Sequence, residues 1–186
     1  MREIRKNILM GLFLILGFPS YSQNTKCKTV IYKTAEDLRD SRGIEGEGIA
    51  INTHITKYGT EDAIKLKKDG SWLKFYEGSV YAYKDEDSLL HRYYKDYGYV
   101  TVLFQNEKMC LYSRRTHGKY HDTYYYFNKN LYSPLIKLTK SNITKEYSSY
   151  PIFIQKVQDI RNESQLVKRN NTGQIEIVSL LMEYTK

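Results

Sequence analysis

The chain has 186 residues and carries 29 basic and 21 acidic side chains, for a formal net charge of +8. This length is enough for one domain with a substantial hydrophobic core and is short for two. Two cysteines cannot build a disulfide scaffold, so the hydrophobic core must stabilise the fold.

Residues 1–22 have the layout of a secretory signal peptide. A basic start precedes an apolar run at residues 8–18, and a small-x-small site, Ser20-Tyr21-Ser22, follows it. The run is short for a bilayer span, and an uncleaved anchor is the alternative interpretation. Cleavage after Ser22 leaves 26 basic and 20 acidic residues, so the net charge falls to +6. We therefore expect an exported protein, periplasmic or extracellular, without a transmembrane anchor, in which residues 23–186 form one domain.

The positive charge limits the expected partners. It is consistent with attraction to an anionic surface or glycan, or with a lysine-rich surface that serves only solubility. No basic cluster is longer than Arg114-Arg115, so nucleic acid is not an expected partner of an exported chain. Cys27 and Cys110 can form one disulfide in an oxidising compartment, or remain two separate thiols with Cys110 in the core.

The first predicted elements after the leader are a strand and a short helix. Residues 29–33 (TVIYK) favour a strand, and Thr34 can cap a helix with Asp37 in its first turn. The sequence SRG at residues 41–43 should end that helix. Residues 43–62 contain four glycines without a clear period, which predicts a loop with at most one strand, at residues 49–55.

Residues 63–83, AIKLKKDGSWLKFYEGSVYAY, predict two hairpins. Asp69-Gly70 between two alternating runs is a strong signal for a two-residue turn, which places Leu66 opposite Leu73 and Ile64 opposite Phe75. A second turn at Glu77-Gly78 would place Phe75 opposite Val80 and Leu73 opposite Ala82. The dry face then carries Ile64, Leu66, Leu73, Phe75, Val80 and Ala82. The other face carries Lys65, Lys67, Trp72, Lys74, Tyr76, Tyr81 and Tyr83, with Trp72 paired with Tyr83 and Lys74 with Tyr81.

Further strands are predicted at residues 89–95, 99–105, 108–113, 121–127 and 134–139. A tight turn at Asn106-Glu107 would place Phe104 opposite Met109 and Val102 opposite Leu111. Twelve of the nineteen tyrosines lie between Tyr76 and Tyr126, within this sheet region. Tyrosine suits a half-wet sheet surface because its ring packs while its hydroxyl reaches water.

Apolar residues appear at helical spacing from residue 141 onward. Pro151 suits the first turn of a helix that places Phe153, Val157 and Ile160 on one side. Thr172 can cap a final helix with a stripe of Ile175, Val178, Leu181 and Met182, and a strand at residues 174–178 is the alternative. Strands followed by helices predict an α+β fold: an antiparallel meander of five to eight strands within residues 29–140, then C-terminal helices within residues 141–186.

Three groups of residues resemble a known family. They are YKTAEDL at residues 32–38, GSVYAYKD at 78–85 with LHRY at 90–93, and YYFNKNL at 125–131 running into SPLIKLTK at 133–140. In these the chain resembles a family of small exported bacterial proteins with a tyrosine-rich β-sheet region and no established biochemical role. The resemblance implies export and a shared fold, and it supplies no catalytic residue.

No catalytic, cofactor or metal motif stands out in the sequence. His117 and His121 are four residues apart, a spacing that presents two metal ligands on a helix, but here they flank a glycine and lead into a strand. The acids at residues 85–87 are typical of a solvated turn. We therefore predict no catalytic residue, no cofactor and no metal. The enzyme alternative is a small hydrolase with a site around His91, His117 and His121.

The favoured functional hypothesis is a non-enzymatic recognition module. Trp72, Lys74, Tyr76, Tyr81 and Tyr83 would form an aromatic and basic sheet face that binds a glycan, a peptide or a protein partner. The structural alternative is that the C-terminal helices pack on this face and bury it. A third interpretation is an accessory structural component of an envelope assembly.

Overall fold

The computed structural model describes residues 28–56, 59–76, 78–116 and 122–185. The predicted signal peptide, Cys27, His117 and His121 lie outside the described residues. The protein has an α+β fold in which an eight-stranded sheet and a three-stranded sheet precede the C-terminal helices. Every strand pair is antiparallel. The predicted fold class is confirmed.

The elements follow one another along the chain in a simple order. They are β1 (Thr29–Tyr32), α1 (Ala35–Arg39), β2 (Ile44–Gly46), β3 (Gly48–Thr56), β4 (Gly59–Lys68), β5 (Ser71–Tyr76), β6 (Ala82–Lys84), β7 (Leu90–Tyr94), β8 (Gly98–Gln105), β9 (Cys110–Arg115), β10 (Thr123–Asn128), β11 (Ile136–Lys137), α2 (Lys140–Glu146), α3 (Pro151–Asp159) and α4 (Glu176–Tyr184). A 3₁₀ turn at Glu163–Val167 lies between α3 and α4. The large sheet has the order β11-β10-β9-β8-β7-β6-β1-β2, and the small sheet has the order β3-β4-β5.

The first predicted hairpin is confirmed, and the second is wrong. Leu66 lies opposite Leu73 in the β4–β5 pair, and both turn residues, Asp69 and Gly70, have positive φ angles of 50° and 77°. Beyond β5 the chain leaves the small sheet, and β6 pairs with β1 and β7 instead. The Tyr76 carbonyl accepts hydrogen bonds from the backbone N–H and the hydroxyl of Ser79, which ends β5. In the large sheet β6 gains two strand partners, whereas a second hairpin would supply one.

For residues 43–62, the predicted strand at 49–55 is confirmed and the loop predicted around it is wrong. The strand predicted at residues 49–55 lies within β3. Strand β2 precedes it in this region, and β4 begins in this region and continues to Lys68. A Cβ atom at Gly46 would lie 2.5 Å from the Leu66 side chain and 2.5 Å from the Lys67 carbonyl oxygen. Glycine there lets the chain pass closely from the large sheet to the small one.

The β8–β9 register differs from the prediction. Phe104 lies opposite Leu111 and Val102 opposite Tyr112, with a bulge between Val102 and Phe104. The side-chain oxygen of Asn106 accepts hydrogen bonds from the N–H groups of residues 108 and 109, which makes the connection longer than a two-residue turn. As a result, the side chains of Val102 and Phe104 lie on opposite faces of the sheet.

The helix predictions are confirmed in part. Thr34 and Asp37 form the capping box of α1, and α3 begins at Pro151 and buries Phe153 and Val157. Helix α4 begins later than predicted, because Thr172 bonds Asn170 within a turn instead of capping the helix. Its buried stripe is Ile177, Val178 and Leu181, and Met182 is exposed. The strand alternative at residues 174–178 is wrong.

Two layers cover the same face of the large sheet. One register row crosses that face: Ile31, Tyr83, His91, Thr101, Ser113 and Tyr125. At the β1 end the small sheet covers it, with Ile64 and Leu66 packed against Ile31 and Tyr83. At the β9–β11 end the helices cover it, with Phe153 and Leu181 packed with Leu111 and Phe127. No helix in the described part of the chain is long and apolar enough to cross a membrane.

Candidate functional site

The exposed surface of β5 brings three of the five predicted binding residues together. Trp72, Lys74 and Tyr76 alternate along the strand, so their side chains lie on one face. Trp72 is 53% exposed and Tyr76 is 58% exposed. The Lys74 ammonium lies 4.5 Å from the centre of the Tyr76 ring, a cation–π contact. We call Trp72, Lys74 and Tyr76, with their cross-strand neighbours Lys65 and Lys67, the β5 strip.

The strip faces solvent because the opposite face of the hairpin is apolar. Ile64 and Leu66 are buried in the cluster between the two sheets, and Phe75 packs against it. Alternation along a strand then directs the neighbouring residues outward. The two-residue turn fixes the register, so Trp72 lies opposite Lys67 and Lys74 opposite Lys65.

The strip is positively charged. Within the described part of the chain, one of its three lysines forms a surface ion pair, in which the Lys67 ammonium lies 4.0 Å from a Glu47 carboxylate oxygen. Both side chains of this pair are well exposed to solvent. Exposed pairs of this kind contribute about 0–1 kcal/mol and leave the two charges available to other ions. Among the described residues, the strip therefore combines two exposed rings with three lysines and one neighbouring carboxylate.

Tyr83 and Tyr81 do not belong to this surface, so the predicted pairs Trp72–Tyr83 and Lys74–Tyr81 are wrong. Tyr83 is only 4% exposed and stacks on the His91 ring at 4.5 Å. Burial, together with the nearby Asp85 carboxylate, raises the pKa of Tyr83 well above its ordinary value. The Tyr81 ring lies 3.2 Å from the Arg92 guanidinium carbon. Its hydroxyl lies 3.4 Å from the Leu131 carbonyl, and burial raises the pKa of Tyr81 as well.

A second cluster of polar side chains surrounds His91. Its Nε2 lies 2.8 Å from Asp85 Oδ2, and its Nδ1 lies 3.2 Å from the Thr101 hydroxyl oxygen. In a neutral ring the carboxylate accepts the Nε2 proton, so Nδ1 accepts from Thr101. The other Asp85 oxygen accepts from the N–H groups of residues 87 and 89, which holds the carboxylate in place.

Sequence reasoning assigned the acids at residues 85–87 to a solvated turn and did not connect Asp85 with His91. The connection depends on the β6–β7 hairpin, in which Tyr83 lies opposite His91. The only available signal was the short polar segment between two tyrosine-rich strands. His117 and His121, the other two residues of the hydrolase hypothesis, lie outside the described residues.

Among the described residues, the His91 cluster supplies only part of a set of catalytic groups. An acid, an imidazole and a hydroxyl in sequence can activate a nucleophile. Thr101, however, lies within β8, which pairs with β7 on one side and β9 on the other. Thr101 is paired with His91 on one side and Ser113 on the other, and backbone N–H groups that bond a neighbouring strand are not available to a developing oxyanion.

Neither metal nor thiol chemistry is indicated in the described part of the chain. No group of three or more His, Cys, Asp or Glu side chains could hold a metal ion there. Cys110 is buried in β9 and has no disulfide partner among the described residues, and burial raises the pKa of its thiol. Cys27 lies outside the described residues, so the disulfide stays a prediction.

No protein-family model, curated protein or solved structure matches the chain. The resemblance to exported bacterial proteins therefore stays a prediction. The functional interpretation rests on the geometry of the β5 strip and of the His91 cluster.

Proposed function

We propose that the protein is a non-enzymatic recognition module that binds an anionic partner through the β5 strip. The supporting observation is the exposure of Trp72 and Tyr76 on one face beside three lysines. Covering large rings stabilises a complex by about 25 cal/mol per Å² of apolar area removed from water. Aromatic residues are also enriched in recognition surfaces. The lysines favour a partner that presents carboxylates or other anions, whether a glycan, a peptide or a protein.

Retention on immobilised polyanions tests this proposal. The wild-type chain is passed over poly-L-glutamate and over a uronic-acid polysaccharide at increasing salt. Trp72→Ala leaves the net charge unchanged, so we expect it to elute at clearly lower salt because the ring contact is lost. Tyr132→Ala is the matched control, since Tyr132 is 55% exposed and lies far along the chain, between β10 and β11. Equal elution of Trp72→Ala and the wild type would reject the strip as the binding surface.

The second candidate function is a hydrolase that uses the Asp85–His91–Thr101 cluster. The specific observation in its favour is that the two ring nitrogens of His91 have a carboxylate and a hydroxyl as partners. Hydrolysis of p-nitrophenyl acetate by the wild-type chain, His91→Gln and Thr101→Val tests it. A turnover that both substitutions remove would support the enzyme, and a rate equal to that of free imidazole would argue against it.

A further inference from the structure

The outer edge of β5 is open among the described residues, where β5 pairs with β4 alone. A two-residue turn makes its flanking residues, Lys68 and Ser71, a hydrogen-bonded pair, and every second pair after it repeats the pattern. Trp72 and Lys74 of the strip lie at the pairs in between, which are not hydrogen-bonded to β4. The Lys67 carbonyl fits this alternation, because it accepts a hydrogen bond from Glu47 on the β3 side. The N–H and C=O groups of Trp72 and Lys74 are therefore directed toward the open edge.

The open edge has a defined length. At its far end the Tyr76 carbonyl already accepts hydrogen bonds from Ser79. Among the described residues, the groups that remain without a strand partner are the N–H and C=O of Trp72 and Lys74 and the N–H of Tyr76. An added strand of about five or six residues would satisfy them, since strands rise about 3.3 Å per residue and neighbours lie about 4.8 Å apart.

The two faces of this edge have different chemistry. On the outer face lie the rings and lysines of the β5 strip. On the inner face Leu73 is 39% exposed and Phe75 is half-buried, with the Lys33 ammonium 5.9 Å from the Phe75 ring. A strand beside β5 would cover Leu73 and extend the apolar cluster between the sheets. An added strand complements both faces if its acidic side chains point toward the lysines of the strip and its alternating apolar side chains point toward Leu73.

We infer that an extended acidic peptide segment adds to the small sheet as a fourth strand along β5. This inference rests on the proposed function, because the same strip supplies the side-chain contacts. Backbone hydrogen bonds to Trp72 and Lys74 give affinity, and the two faces of the edge, with lysines on one and Leu73 on the other, select acidic and apolar side chains. Free edge strands are templates for such pairing, and the lysines decide which partner is accepted.

A second copy of the chain is the less suitable occupant of this edge. Two β5 strands paired antiparallel would place the lysines of both strips side by side on one sheet face. Like charges directly opposite each other across a sheet are destabilising. An acidic strand brings the opposite sign to the same positions.

Fluorescence titration tests the inference, because Trp72 is the single tryptophan of the chain. The probe is a capped hexapeptide of alternating glutamate and valine, and a lysine–valine hexapeptide is the charge control. Two further probes carry N-methyl groups on either the glutamate or the valine amides. In an antiparallel arrangement the glutamate N–H groups face β5, because residues directly opposite each other point to the same face. We expect a saturable change with the glutamate–valine peptide, binding at least tenfold weaker after glutamate methylation, and less than threefold weaker after valine methylation.

The outcomes separate this inference from the proposed function. Equal affinity of the two methylated peptides would overturn strand addition while the strip remained a binding surface. Strand addition would also be overturned, and the proposed function kept, if the chain retains the polysaccharide and does not bind the glutamate–valine peptide. Concentration-dependent dimers that Lys74→Glu strengthens would show that a second copy occupies the edge, and would also overturn the inference. If neither polyanion nor peptide is bound, the proposed function fails together with it.

Discussion

The C-terminal helices and the β4–β5 hairpin differ in whether their large side chains are buried or exposed. At the β9–β11 end, Phe127 of the sheet packs in one closed cluster with Phe153 of α3 and Leu181 of α4. At the small sheet, the hairpin buries Ile64 and Leu66 and leaves Trp72 and Tyr76 in solvent. The helices therefore pack against Met109, Leu111 and Phe127. Among the described residues they do not cover the β5 strip.

The difference follows from side-chain chemistry. Phenylalanine and leucine have no polar atom, so complete burial stabilises them without a compensating hydrogen bond. Lys65 and Lys67 of β4 lie across from Lys74 and Trp72 of β5, and burial of these three ammonium groups would be strongly unfavourable unless each had a charged partner. The lysines thus favour exposure of the strip to solvent, which the proposed binding of an anionic partner requires.

Phe153→Ala tests the comparison with the largest expected effect. The side chain is fully buried and lies edge-on to the Tyr147 ring, with centroids 5.4 Å apart. Truncation leaves a cavity, so the free energy of unfolding should fall by about 3–5 kcal/mol. Trp72→Ala on the exposed strip should change it by about 0.5 kcal/mol or less. Urea denaturation measures both, and similar losses for the two variants would contradict the assignment of core and surface.

Local patterns predicted those parts of the fold that depend on local structure. The Asp69-Gly70 turn needs only two adjacent residues with positive φ, and the buried stripe of Phe153 and Val157 needs only helical spacing. The fold class follows from strands that precede helices. These features do not depend on which distant segment lies alongside.

The sequence did not reveal the partner of β6. Tyr81, Ala82 and Tyr83 continue the alternation of β5, so a second hairpin is locally acceptable. The actual partner, β1, lies about fifty residues upstream in the chain, and pairing over that distance depends on which edges are free when the sheet assembles. The placement of Trp72, Lys74 and Tyr76 on one face was therefore predicted correctly, and the placement of Tyr81 and Tyr83 beside them was wrong.

Gly70→Ala is the second test, with an intermediate effect. Gly70 has φ of +77°, and an added Cβ would meet no atom within 4 Å, so the cost is backbone strain alone. A left-handed residue with a side chain is less stable by about 1–2 kcal/mol. Gly173, with φ of +80° and equally open surroundings, is the matched control near α4. Both variants should lose similar stability, but only Gly70→Ala should weaken retention on poly-L-glutamate, because only that turn sets the register of the strip.

The smallest expected effect concerns the alkaline side of the stability curve. Burial raises the pKa of Tyr83 beneath the small sheet and that of Tyr147 beneath the helices, compared with about 10 in an unfolded chain. A raised pKa in the folded state means that the contribution to stability is complete below pH 10 and is lost as the pH rises above it. Replacing either tyrosine with phenylalanine should therefore make the loss of unfolding free energy above pH 10 less steep. Urea denaturation at pH 8, 10 and 11 measures that slope.

The two tyrosines should differ at neutral pH, where neither is ionised. The Tyr147 hydroxyl donates a hydrogen bond of 2.8 Å to the Lys108 carbonyl, which ties the α2 end to the β8–β9 connection. Tyr147→Phe removes this bond and should lower the free energy of unfolding by about 0.5–1.5 kcal/mol at pH 8. Tyr83 contributes mainly ring contacts, with His91 and with Tyr99, and phenylalanine preserves both. Tyr83→Phe should thus be the milder variant at pH 8. A larger loss for Tyr83→Phe would mean that its hydroxyl, and not its ring, holds the small sheet to the large one.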